Sequence, residues 1–494
     1  MELKALKSGT DIRGTAIGEN YQLTDEVIRK LIFGFVRVME GKTGLSASEM
    51  KISVGHDSRL SSVRMKKTVE SSLSALGCRV MSCGLSSTPA MFMTTVKAAC
   101  TGAVQITASH LPKDKNGLKF FTKDGGFEGS DIDEIIRIAD SFDAYPYCSA
   151  GKIEKYNFMA RYAEDLREMI RQGVGGDTPL EGFHIVVDAG NGVGGFYATE
   201  VLAPLGADIT GSQFLNPDGD FPNHIPNPED KTAMQFICDA VTKNNGDLGV
   251  IFDTDVDRAA CVGSDGKEIN RNRLVALASA IALEDCPGGT IVTDSVTSDG
   301  LKIFINETLG GHHHRFKRGY KNVINESIRL NSQGIVSPLA IETSGHAALK
   351  ENYFLDDGAY LITKIIIKAA ALRKDGKNIS DLLASLPEPS EASEYRFKIL
   401  PADFKSYGQS VIDGLENYAN GREGWTIADD NREGIRISFD KNHGDGWLLL
   451  RLSVHDPILP LNIESNTNGG VNVILSQFRE FIEKFEELDL SALK

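Results

Sequence analysis

One serine, one run of alternating aspartates and two short loops bearing histidine and arginine hold most of the reactive chemistry of this chain. Ser109 lies in Thr107-Ala108-Ser109-His110-Leu111-Pro112, just past an apolar run. A hydroxyl there becomes a nucleophile only when a base or a metal activates it; otherwise such a serine caps or turns the chain. His110 is adjacent in sequence and need not face the same way. Lys119, ending Asn116-Gly117-Leu118-Lys119, suits neutralising a phosphate or acid–base work, and an exposed lysine is the plain alternative.

Asp253-Thr254-Asp255-Val256-Asp257-Arg258 follows the apolar run Leu248–Phe252. Three carboxylates at alternating positions are hard oxygen ligands for Mg²⁺ or Ca²⁺. A calcium EF-hand needs glycine sixth and glutamate twelfth, where this chain has Arg258 and Ser264. Haloacid-dehalogenase enzymes place an aspartate nucleophile in a similar D-x-D, but with Thr or Val where Asp257 stands. A merely solvated acidic turn would set three like charges against one another.

Two weaker loops come later. Glu342-Thr343-Ser344-Gly345-His346 offers hydrogen bonds to sugar hydroxyls and an imidazole that titrates near neutrality. In Arg451-Leu452-Ser453-Val454-His455-Asp456-Pro457, an arginine fork beside a hydroxyl matches phosphate oxygens. Ser465–Gly470 reads as a turn into the last helix. His312-His313-His314 reads as structural, because adjacent residues cannot all face one ion.

The elements that must hold these loops recur three times. A β-rich run leads into a polar loop (Lys51, His184 and Thr290 begin the three copies). A glycine-marked strand segment follows, from Gly77, Gly206 and Gly310. A third strand then ends in a chemistry-bearing loop, TASH, DTDVDR or ETSGH. Helical spacing fills the gaps, as in Ser61–Leu76 and Lys231–Lys243. Strands alternating with helices predict α/β domains with largely parallel sheets, and ligands bind such sheets beyond the carboxyl ends of strands. Past residue 390 the pattern becomes a smaller α+β domain, with Ser385–Tyr395 as the linker before it. The expected domains are 1–150, 151–268, 269–388 and 389–494, around a central cleft.

The 494 residues exceed what one core sustains. A net charge of −15 argues against nucleic acid and anionic membranes as partners. The longest nearly uninterrupted apolar run, Leu274 to Leu283, is about ten residues where a span needs about 20. The first residues, MELKALKSGT, carry no signal-peptide block. Seven cysteines without a C-x-x-C pair read as reduced thiols of the cytoplasm.

In this order, the motifs resemble the α-D-phosphohexomutase superfamily, across nearly the whole chain. Ser8–Gly14 is similar to its N-terminal G-x-R-G segment. Val54–Arg59 and Thr88-Pro89 are similar to its first-domain motifs, TASHLP with NGLK to its phosphoserine loop, and DTDVDR to its D-G-D-x-D-R metal loop. Pro217-Asp218-Gly219, Phe221-Pro222 and Pro226-Asn227-Pro228 match a second-domain signature, ETSGH its sugar loop, and RLSVHDP its R-P-S-N-T-E-P phosphate loop. Thr254, Ile341, Val454, His455 and Asp456 depart from those patterns, while Arg451 and Ser453 of the phosphate loop are kept.

The resemblance implies a hexose phosphomutase acting through phosphoserine 109 and a 1,6-bisphosphate, on mannose or glucose, with phosphoglucosamine mutase as an alternative. A non-catalytic sugar-phosphate binder is the alternative of another class. It implies Mg²⁺ on Asp253, Asp255 and Asp257 with a phosphate oxygen of Ser109. Arg13, Lys119 and Arg258 would surround the transferring group. Glu342 and Ser344 would hold sugar hydroxyls, Lys321 and His346 would join the site, and Arg451 and Ser453 would grip the non-reacting phosphate. A monomer or weak homodimer is expected.

Overall fold

The computed structural model describes residues 2–144, 149–453 and 456–493. They pack as two compact units, Met1–Leu274 with Ser344–Leu382, and Val275–Thr343 with Leu383–Lys494.

The first unit opens with an eight-stranded mixed sheet. Lys51–His56 is its centre, flanked in parallel by Arg79–Leu85 and Gly102–Ile106. Lys51–His56 and Gly102–Ile106 are buried almost throughout, as expected where helices cover both faces. Lys115–Thr122 then returns antiparallel beside Gly102–Ile106, and Asp11–Thr15 beside Lys115–Thr122, so Arg13 stands opposite Gly117. Helix starts are written locally. Thr24 accepts the Val27 N–H at 3.2 Å at the head of Asp25–Thr43, and Ser87 caps Thr88–Lys97, which has proline in its first turn.

The second sheet of this unit orders Glu268–Ile269, Ala259–Gly263, Leu248–Phe252 and Ile185–Asp188. The expected strand after Gly206 is absent among the described residues. Gly206 and Gly211, at φ +89° and +84°, bend that segment so that it meets the sheet only at Asp208 and Gln213. The unit is completed by a later part of the chain. Helix Gly358–Lys374, capped by Asp357, packs on helix Phe158–Val174. There the Tyr162 hydroxyl donates to Asp357 Oδ1 at 2.6 Å, and Tyr197 and Thr363 share a hydrogen bond of 2.8 Å.

A buried ion pair under this sheet carries a pH prediction. His224 Nε2 lies 3.0 Å from Asp188 Oδ1, both side chains fully covered. Burial pulls the imidazole down, but the Asp188 hydrogen bond and charge outweigh it and raise His224 above its ordinary value. A raised folded-state value stabilises fully below the unfolded pKa near 6.5 and loses that contribution as pH rises through the folded value. Melting curves of the wild type should therefore fall in Tm from pH 6 towards pH 9 more steeply than those of Asp188→Asn. Equal slopes would refute the pair's role.

In the second unit, Thr290–Thr293 runs parallel to both His312–Arg315 and Leu339–Ile341. A separate antiparallel sheet orders Trp425–Ile427, Ile435–Phe439, Gly446–Leu450, Ile458–Ser465, Glu391–Ile399 and Leu488–Asp489. Helices Phe404–Ala419 and Gly470–Ile482 bury one face around Phe397, Leu448, Leu461 and Phe478. The expected linker is shorter than Ser385–Tyr395, since a strand begins at Glu391. Every second residue of Glu391–Ile399 turns inward, a period-two pattern that outweighs the preceding prolines and serines.

Candidate active site

Ser109 sits just past the strand Gly102–Ile106 with φ +50°, a backbone conformation L-residues rarely adopt. The loop is held there from two sides. The Ser109 N–H donates to Thr107 Oγ1 at 2.9 Å. From below, the Arg59 guanidinium donates to the carbonyls of Ser109, Leu111, Pro112 and Lys115 at 2.5 to 3.0 Å. Arg59 is 1% exposed and pairs with the buried Asp57 at 3.3 Å.

The acidic loop meets this serine. Ser109 Oγ donates to Asp253 Oδ2 at 2.8 Å, and Arg258 Nη2 lies 3.3 Å from Ser109 Oγ. The loop closes on itself through Arg258, whose backbone N–H donates to Asp253 Oδ1 and whose guanidinium grips Oδ2, all at 3.3 Å. Val256 takes φ +68°, a rare conformation for a β-branched residue. This reversal brings Asp253, Asp255 and Asp257, all buried, within 4.8 Å of one another through one oxygen each. Thr88 donates its hydroxyl to Asp255 and its N–H to the Asp255 carbonyl.

Burial, then the Asp257 and Asp255 charges, push Asp253 well above the usual carboxylate range. Asp257 is driven up by burial, yet Lys119, His346 and Arg258 hold it below that range. Asp255 Oδ1 and Asp257 Oδ1 are buried without a hydrogen-bond partner among the described residues. Unpaired buried carboxylate oxygens are costly, and a small divalent cation satisfies them. The donor set fits a hard, oxygen-liganded ion.

Cations ring this cluster. Lys119 Nζ lies 2.5 Å from Asp257 Oδ2 and 3.5 Å from Asp255 Oδ2. Arg13 pairs with Asp11 at 2.9 Å and contributes positive potential at His110. His110 Nδ1 is 3.3 Å from Ser109 Oγ; burial, with Arg258, Arg13 and His346, lowers its pKa to about 2, so it is neutral. Burial alone would depress His346, but Asp356, bonded to its Nδ1, and Asp257 raise it to about 9. His346 reaches the cluster because Gly345 passes tightly over the strand Ala259–Gly263. At φ +95°, a Cβ on Gly345 would lie 2.7 Å from the Ala259 carbonyl oxygen. Ser344 is buried beside it.

The remaining predicted residues belong to the second unit. Glu342 Oε1 accepts the Gly319 N–H at 2.6 Å, and Lys321 lies in the first turn of helix Tyr320–Ser332. Thr343 donates its hydroxyl to Asp294 at 2.7 Å; burial and then Glu342 push Asp294 up to about 7. Burial and then Arg318 lower Arg451, opposed by Glu433, Glu394 and Asp294. Ser453 Oγ accepts the Asp456 N–H at 3.3 Å. Val454 and His455 lie outside the described residues.

Sequence reading assigned no role to Asp57, Arg59, Thr88, Asp294 and Asp356. A signal existed for three of them. Asp57 and Arg59 follow a buried strand directly, where charge needs a buried partner. Asp356-Asp357 precedes the apolar helix Gly358–Lys374, and only the second aspartate is needed as its cap.

The chain matches the family models of phosphoglucomutase/phosphomannomutase alpha/beta/alpha domain I over residues 5–145, domain II over 160–266 and domain III over 270–390. A phosphoglucomutase of Neisseria meningitidis serogroup B is 30% identical over 474 residues, 96% of this chain and 95% of that one. A phosphomannomutase/phosphoglucomutase of Pseudomonas syringae pv. tomato is 29% identical over 91% of each chain. The crystal structure of a phosphoglucomutase/phosphomannomutase family protein from Burkholderia thailandensis superposes with a TM-score of 0.80 at 26% identity, covering 98% of both chains. These matches span both units, and this chain belongs to the phosphoglucomutase/phosphomannomutase family.

Proposed function

We propose that this protein interconverts the 1- and 6-phosphates of glucose or mannose, with Ser109 as the phosphoryl carrier and Mg²⁺ on Asp253, Asp255 and Asp257. The observation that carries this reading is the 2.8 Å contact between Ser109 Oγ and Asp253, beside two buried carboxylate oxygens with no hydrogen-bond partner among the described residues. Bound there, Mg²⁺ supplies Lewis-acid charge to a phosphoryl oxygen. The chain's own groups do the rest. Phosphoryl transfer demands charge neutralisation and in-line positioning more than covalent chemistry.

In the forward half, the free hydroxyl oxygen of a hexose phosphate bonds to phosphorus and gives its proton to a nearby base, while the Oγ–P bond of phosphoserine 109 breaks and Ser109 Oγ takes up a proton as it leaves. The 1,6-bisphosphate then returns its other phosphoryl group to Ser109. Arg258, Arg13 and Lys119 balance the charge of the group in transfer, and His346 adds a proton-bearing imidazole next to Asp257. Glu342, Ser344 and Lys321 hold the sugar, while Arg451 and Ser453 hold the distal phosphate. The four-domain division at residues 150, 268 and 388 belongs to the same reading, and the three family matches support its first three parts. So does a cytoplasmic monomer or weak homodimer: the six described cysteines are all free thiols. Among the described residues no helix is long and apolar enough to cross a membrane.

Two measurements test this. Intact-mass spectrometry should find one phosphoryl group on Ser109 that exchanges onto added hexose phosphate. Side-by-side kcat/KM values for glucose, mannose and glucosamine 1-phosphates then fix the sugar; no turnover of any of them would end the proposal. Metal removal gives a further prediction. EDTA should lower kcat by about 10²-fold or more, with recovery on adding Mg²⁺. Asp255→Asn should weaken Mg²⁺ binding in calorimetry, and unchanged affinity would remove Asp255 from the ligand set.

A further inference from the structure

Glu433 stands in the turn Asn431-Arg432-Glu433-Gly434, just before the strand Ile435–Phe439. Its Oε2 accepts two hydrogen bonds, from Ser295 Oγ at 2.6 Å and from the backbone N–H of Arg318 at 3.1 Å. The next amide along the chain, Gly319 N–H, donates to Glu342 at 2.6 Å. Two consecutive peptide N–H groups are thus held by two carboxylates, one from the Glu342 loop and one from the C-terminal segment. Gly319 sits at φ +117°, open to glycine and strained for other residues, and helix Tyr320–Ser332 with Lys321 begins immediately after it. Fixing both amides fixes the turn and the direction in which Lys321 sets out. Hydrogen bonds to an ionised acceptor are stronger than neutral ones, so the turn depends on these two carboxylates.

Neighbouring contacts show what simple docking looks like. Asp430 pairs with Arg315 at 3.0 Å and Lys302 at 3.4 Å, and Arg436 pairs with Asp299 at 2.8 Å over the face of Trp447. Those pairs join side chain to side chain, and Arg436 adds bonds to the Ser295 and Thr297 carbonyls, well away from the Arg318–Gly319 turn in sequence. Glu433 instead grips the backbone of the loop that Glu342 holds from its other side.

We propose that Glu433 is a positioning residue for substrate: it sets the Arg318–Gly319 turn, and through it the affinity of the Glu342 and Lys321 site for hexose phosphate. The inference rests on the hexose-phosphate reading above. Calorimetric titration of the full-length protein with glucose 6-phosphate and with mannose 6-phosphate tests it without requiring turnover. Glu433→Ala should weaken binding about tenfold, and Glu433→Gln, which keeps an acceptor but not the charge, about threefold. Asp430→Ala, which breaks the adjacent docking pair, should leave affinity unchanged. In the mutase assay, Glu433→Ala should raise KM by about the same tenfold and move kcat less than about threefold.

Wild-type affinity in Glu433→Ala, or an equal loss in Asp430→Ala, overturns the inference. If Glu433→Ala does not fold, wild-type affinity in Glu433→Gln overturns it equally. Wild-type protein that binds neither sugar phosphate defeats the hexose-phosphate reading and this inference together. Binding by the wild type with an indifferent Glu433→Ala defeats this inference alone.

Discussion

Ser109→Ala should lower kcat for conversion of glucose 1-phosphate to glucose 6-phosphate by about 10³-fold or more while leaving the fold intact. The methyl group cannot carry phosphate, so no covalent relay between the two sugar positions exists. What remains is the electrostatic ring of Arg258, Lys119 and the acidic loop, which binds but does not transfer. The structural cost is small. Ser109 Oγ gives up its bond to Asp253 and two longer contacts, with Arg258 Nη2 and His110 Nδ1, and Asp253 keeps those from the Arg258 backbone and guanidinium. Worth about 1 kcal/mol each, those contacts are too little to unfold a chain of this size. A coupled assay and an intact mass lacking the phosphoryl group check the outcome. Full activity in the alanine variant would show that the relay runs through another atom.

Arg59→Met should destabilise the first unit by about 3–5 kcal/mol, the cost of leaving one member of a buried ion pair alone. Asp57 has no exposed surface, and burial already pushes its carboxyl upward, with Arg59 opposing. Removing the guanidinium also strips donors from four loop carbonyls at once, and a buried acceptor left unpaired costs about 1–3 kcal/mol by itself. Lysine does not restore the arrangement, because a single ammonium cannot reproduce the planar fork. Thermal melts should show Tm falling by roughly 10 °C in Arg59→Met. Asp57→Asn combined with Arg59→Met should recover part of that loss. A single variant melting like the wild type would mean that water replaces the fork. Activity should fall with stability, since Ser109 holds its rare backbone conformation on those same bonds.

The serine loop and the acidic loop were legible as candidates because each is contiguous and each follows a buried strand. Ser109 to Asp253, and Lys119 to Asp257, are contacts that the motif order implies and the geometry displays. The buried position of Arg59 was hinted at by its place after a strand, but its task was not legible, because its partners are backbone carbonyls about fifty positions away, and a carbonyl leaves no trace in residue type. Asp356 hides for another reason: beside Asp357 it looks like half of a helix cap, and only the fold turns it towards His346. Local composition misled twice. Prolines and serines masked the alternation that makes Glu391–Ile399 a strand, and the copy of the repeat after Gly206 kept its spacing while two glycines bent it off the sheet.

The first unit is not continuous in sequence: it pauses after Leu274 and resumes at Ser344. During synthesis, the serine and all three aspartates emerge from the ribosome well before His346, Asp356 and the closing helix Gly358–Lys374. Roughly a hundred further residues must be added first, a wait of about 5 to 20 s at usual translation speeds. Throughout that interval the nascent chain exposes the face of helix Phe158–Val174, Tyr162 included, that helix Gly358–Lys374 later covers. Pausing just beyond residue 274 lengthens the exposure, and chaperone capture of stalled chains should be greatest there.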